Sequence, residues 1–189
     1  MRLEAIEPKR LTAEQRPLYQ DMKEGIEASF KGIKAIRNNG ALIGPWNPWI
    51  HSPHIGKPTW ELLKALAVNP KLSRPVREIA ILVTGTRFHS GYELYAHVLI
   101  GELRGLKDDT LATIVAGQRP TDLDDDQSTA YDVASSLAGG GVLPTLLYDK
   151  ATRQFGEDGT AELIYLVGLY CMVSVTLNGF NVPIPEQDE

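Results

Sequence analysis

The sequence predicts an all-α fold, and three observations carry that reading. Apolar residues recur at helical spacing in one segment after another, as at Leu18, Met22, Ile26 and Phe30. No segment shows the period-2 alternation of a half-buried strand. Glycine, proline and Asn/Asp residues punctuate the chain at intervals that suit helices of ordinary length, about eight in all.

Taken in order, residues 1–10 read as an irregular arm. Thr12 and Gln15 have the spacing of a capping box, so a helix is expected from about residue 13 to about 36 at most, with Gly32 its weak point. Residues 37–58 change character. Prolines 45, 48, 53 and 58, with glycines and asparagines between them, predict a long loop rather than regular structure. Trp46 and Trp49 are costly to leave in water, so the loop is expected to wall a pocket. Residues 59–68 form a short amphipathic helix ended by Asn69-Pro70. Ser73 is a fair N-cap for the next helix, which carries Glu78 and frays near Gly85. A helix bearing His89, Glu93 and His97 follows and stops at Gly105. Asp108 or Asp109 opens a helix that Gly117 ends, and Asp122 to Asp126 give an acidic start to one broken by Gly139-Gly140-Gly141. A short helix spans 146–155. A last one, 161–178, reads as buried, and 182–189 as an extended acidic tail.

Composition bounds the function. The 189 residues suit a single domain with a sizeable core, and 43% hydrophobic with 23% charged residues is ordinary for a globular protein. A net charge of −5 argues against nucleic-acid binding. One cysteine, Cys171, excludes an internal disulfide and any CxxC redox or zinc site. A reducing, cytoplasmic setting is the simplest expectation, with no secretory signal visible in MRLEAIEPKRL. Leu163 to Leu177 is an uncharged run of fifteen residues, short of the about 20 a membrane span needs, so a helix in a core or an oligomer interface is expected.

The chemistry-bearing stretch is REIAILVTGTRFHSGYELYAHVLIGELRGL, residues 77–106. His89, Glu93 and His97 fall at i, i+4 and i+8, along one stripe of a helix. They stand among Tyr92, Leu94, Tyr95 and Ile100, with Ser90 on the neighbouring edge and Glu78 in an apolar run upstream. Acids and imidazoles partly removed from water are where proton chemistry becomes possible. A core histidine bonded to a backbone carbonyl is the alternative for His97. The carboxylate one turn back favours a functional pair. His51 and His54 have a metal-like spacing, but Pro53 lies between them and no further ligand is near. His89 and His97 are about 12 Å apart along a straight helix, too far to share one ion. No metal is therefore expected.

Glu78, Ser90, Glu93 and His97, in that order and spacing, resemble the carboxymuconolactone decarboxylase and alkylhydroperoxidase-D (AhpD) superfamily. Its peroxidase branch has Glu, eleven residues, Cys-x-x-Cys, three residues, His. Here Ser90 and Glu93 stand at the two cysteine positions. The decarboxylase branch, with a Glu four residues before the His, is more similar. The core of the likeness covers residues 60–110; YELYAHV, VTLNGFNVPIPE and GPWNPWIHSP extend it over most of the chain as one domain. The resemblance implies an AhpD-like helical bundle and a homo-oligomer, trimer or hexamer, with sites near subunit interfaces. On this reading His97 is a general acid/base, Glu93 orients it, and Glu78 or His89 stands behind as a relay. Trp46, Trp49, His51, Tyr92, Ser90 and His89 line the pocket of a small organic substrate, such as a lactone or an aromatic derivative. No cofactor is implied. The alternative is a small-molecule binding protein that shares the fold without thiol peroxidase activity.

Overall fold

A computed structural model describes residues 1–30 and 32–186. Among them are eight α-helices and no named strand: α1 (Gln15–Ser29), α2 (Trp46–His51), α3 (Pro53–Ala67), α4 (Arg74–Arg87), α5 (Gly91–Leu103), α6 (Asp108–Val115), α7 (Asp125–Ala138) and α8 (Thr145–Gly179). The centre is α4. Nine of its fourteen residues are buried, from Val76 through Gly85, because it packs against α5, α6, α7 and α8 together. Fully burying a side chain such as Ile79 or Leu82 contributes about 1.5–3 kcal/mol. The run EIAILV therefore anchors the bundle, and it carries Glu78 inward with it.

Local sequence explains most boundaries. Thr12 and Gln15 exchange backbone-to-side-chain hydrogen bonds of 3.0 and 3.3 Å ahead of α1. Asp124 and Gln127 form a full capping box on α7. Leu18, Met22 and Ile26 are the buried stripe of α1. That helix ends at Ser29, well short of residue 36.

The expected loop at 37–58 is corrected by the structure. Trp46–His51 forms α2, and α3 begins at Pro53, six residues before the expected start. Pro48 and Pro53 fall in first turns, where the backbone N–H has no intrahelical partner to lose. Only Pro58 lies inside a helix. The tryptophans Trp46 and Trp49 are buried on α2.

The two helices expected at 146–155 and 161–178 join as α8 across a kink at Gly156. By length and composition α8 could cross a membrane, yet half of its most apolar window is buried inside this fold. Tyr165, Met172 and Val175 form an outward apolar stripe on it, so the helix is not buried all round. The tail from 182 to 186 is not helical, and its last three residues lie outside the described residues.

Candidate active site

α4 and α5 build the site between them. Glu78, on α4, is fully buried; His97 and Glu93, on α5, are nearly so. A Cβ on Gly85 would come within 3.1 Å of the Glu93 side chain, so the absence of a side chain there lets α5 lie close to α4. His97 Nδ1 lies 2.6 Å from Glu78 Oε2. The other Glu78 oxygen accepts from the Arg104 guanidinium. Arg104 is the C-cap of α5, seven residues beyond His97 and so on the same face. On the far side of the ring, His97 Nε2 is 3.3 Å from Glu93 Oε1. That oxygen is buried and makes no hydrogen bond. Tyr170 of α8 meets the imidazole edge-on, with ring centroids 5.1 Å apart.

The electrostatics differ across the ring. Burial pushes the Glu93 carboxyl up to about 7, against the pull of His97 and with help from the Glu78 charge. For His97, burial opposes the charged form, but Glu78 and Glu93 outweigh it and the imidazole titrates above its ordinary value. Tyr170 is held well above the usual phenol range by burial and by the two carboxylates, so it stays neutral. The set can pass a proton along Glu78–His97–Glu93 with little net charge change.

A cavity of about 20 Å³ adjoins the Glu93 side, lined by Phe30, Trp46, Trp49, Tyr92, Glu93 and His97 among others. α2 supplies its indoles. Gly44 makes the approach possible: its φ of +66° is one that L side chains rarely adopt, and a Cβ there would fall 2.5 Å from the Tyr92 ring. On the other side Glu78, His97 and Arg104 border a groove of about 680 Å³, which Arg74, Leu103 and Leu166 also line.

No protein-family model and no curated protein matches the chain. Solved structures do. One is an alkylhydroperoxidase AhpD-core, uncharacterized peroxidase-related protein from Ralstonia eutropha JMP134. It has a TM-score of 0.78 at 13% identity, covering 99% of this chain and 93% of that one. Another is the debrominase Bmp8 in complex with 2,3,4-tribromopyrrole, with a TM-score of 0.73 at 10% identity, covering 98% and 92%. The chain has the AhpD fold.

Within this AhpD-like bundle the expected residues divide. Glu78, Glu93 and His97 converge, and Trp46, Trp49 and Tyr92 line the adjoining cavity. The Tyr92 hydroxyl donates to the Lys34 carbonyl at 3.1 Å. Ser90 is the N-cap of α5, fully buried, with an unpartnered hydroxyl, and it does not line the cavity. His89 is not on the helix. It sits in the α4–α5 turn with φ +50°, exposed, so the expected three-residue stripe is only a pair. The turn needs a left-handed residue there, and that turns the side chain out of the register. His51 is held by the Glu4 carbonyl at 2.8 Å, against the N-terminal arm and away from this cavity.

The close partner of His97 is Glu78, nineteen residues away, rather than Glu93 one turn back. Arg104 and Tyr170 are the residues that sequence reasoning missed. The i+7 spacing from His97 to Arg104 was a usable signal; nothing local marks Tyr170. Among the described residues no group of three His, Cys, Asp or Glu is placed to hold a metal ion.

Proposed function

We propose that this AhpD-like protein performs cofactor-free acid–base chemistry of the decarboxylase type on a small lactone or aromatic-derived substrate. One observation carries the reading: an imidazole fixed at Nδ1 by a buried carboxylate presents Nε2 toward an aromatic cavity and a second, near-neutral carboxyl. In the simplest reaction a carboxylate-bearing substrate loses CO₂. The C–C bond breaks, its electron pair stays on the substrate as an enolate, and His97 gives its proton to that carbon. Glu78 holds the ring in place and stabilises the imidazolium. Glu93 passes a proton back to it. The debrominase neighbour, bound to a small cyclic organic, supports a ligand of that size.

A dithiol peroxidase does not fit these residues. Ser90 and Glu93 stand where that chemistry needs thiols. Burial raises the Cys171 thiol and slows its reaction. A binding protein without turnover is the second reading, favoured by the small size of the cavity beside His97. We also propose a homo-oligomer, trimer or hexamer, in a reducing cytoplasm. The outward stripe of Tyr165, Met172 and Val175 on α8 supports assembly, since such a stripe is costly in water. A monomer by light scattering at micromolar concentration would refute it.

The test is a screen of small lactone and aromatic acids for CO₂ release. His97→Ala should lower turnover by about 10²–10⁴-fold, the usual weight of a general acid. Cys171→Ser should leave turnover unchanged. Full activity in His97→Ala sinks the acid–base reading, and binding of the same compounds without turnover puts the binding reading first.

A further inference from the structure

We infer that Trp46, Glu93 and His97 form a site for a single hydroxyl oxygen, and that its ligand is the OH of a small phenol or enol. The inference rests on the reading above only for the part His97 plays.

Among the described residues, two buried polar atoms on side chains that share a cavity with His97 make no hydrogen bond. One is a donor, Trp46 Nε1–H; the other is Glu93 Oε1. Both side chains line the same cavity. Buried polar groups are almost always paired, so a donor and an acceptor left open around one space point to something that serves both. At about 20 Å³ the cavity admits roughly one heavy atom, and a water needs about 10–15 Å³.

The chemistry narrows the occupant. While Glu93 is ionised, a carbonyl oxygen that accepts from the indole N–H offers nothing to the carboxylate. An ammonium donates to the carboxylate but cannot accept from the indole. A hydroxyl does both: it accepts from Trp46 Nε1–H and donates to Glu93. Phe30, Trp49, Tyr92 and Tyr170 complete the wall, which favours a flat apolar body behind that oxygen. The cavity is open on one side, so a ring can lie at its mouth with only the OH inside. His97 Nε2, 3.3 Å from Glu93 Oε1, is then beside the hydroxyl and able to take or return its proton.

The experiment is calorimetric titration of the whole protein with phenol and with anisole, whose oxygen cannot donate. Wild type should bind phenol about three- to tenfold more tightly than anisole, the weight of one hydrogen bond. Trp46→Phe should weaken phenol and anisole alike, by about three- to tenfold, because either oxygen can accept from the indole N–H, and should keep the preference that Glu93 sets. The indole N–H resonance of Trp46 in the wild type, which needs no variant, should move downfield on saturation with phenol, as a newly donated hydrogen bond requires. Equal affinities in the wild type, no phenol binding, or an unmoved Trp46 signal would each overturn the site. Turnover by His97→Ala with the phenol preference intact would instead overturn the acid–base reading and leave this site standing.

Discussion

The two sides of the His97 ring are built differently. The Nδ1 side is fully satisfied: a carboxylate at 2.6 Å is itself held by Arg104, and it stands on α4, which packs against α5, α6, α7 and α8. The Nε2 side has a carboxyl whose nearer oxygen stands at 3.3 Å and makes no hydrogen bond, beside a small aromatic cavity. The satisfied side sets the position and orientation of the ring. The unsatisfied side is where a proton can go. An imidazole paired equally on both sides would be a structural strut, and one paired on neither would tumble between rotamers.

Breaking the satisfied side should have the larger effect on stability. Glu78→Ala leaves His97 and the Arg104 guanidinium without their shared partner in a mostly buried place. The expected loss is about 3 kcal/mol, read as a fall in Tm of roughly 6–12 °C by calorimetry. An unchanged Tm would mean that the Nδ1 side anchors nothing.

The unsatisfied side should show itself through pH. Glu93 titrates near 7 when folded against 4.5 as its ordinary value, and His97 is raised as well. The folded state therefore holds more protons than the unfolded one through this window. The stability Glu93 contributes is present below about pH 4.5 and lost as pH rises through about 7, up to about 3 kcal/mol, while that of His97 is present below its ordinary value of 6.5 and lost at higher pH. Glu93→Gln should flatten that slope in denaturant titrations between pH 4.5 and 8. It should also lower the His97 pKa by NMR, since the Glu93 charge is one of the causes that raise it. A variant with the slope of the wild type would place the titrating group elsewhere.

The smallest effect belongs to His89. Asn tolerates its positive φ, so His89→Asn should change stability by no more than about 0.5 kcal/mol. Its pH–rate profile should overlay that of the wild type. A shifted profile would bring His89 back beside His97.

Sequence reading went furthest where one segment carries its own signal. The capping box at Thr12, the acidic start of α7, the stripe of α1 and the Glu93–His97 turn all depend on residues a few positions apart. It went astray at 46–58, where counting prolines hid the fact that two of them sit in helical first turns. At His89 a periodic pattern was read through a turn.

What the sequence by itself determined is the helical class, most of the helix ends and the pairing of Glu93 with His97, because capping, period and i, i+4 reach are local properties of the chain. What only the tertiary structure decided is which carboxylate holds the imidazole, and what lies on either side of it. Glu78 reaches His97 across the packing of α4 on α5, Arg104 closes over Glu78, and Tyr170 and Trp46 arrive from α8 and α2. Those contacts arise from how apolar faces bury against one another, and burial has no fixed spacing along the chain.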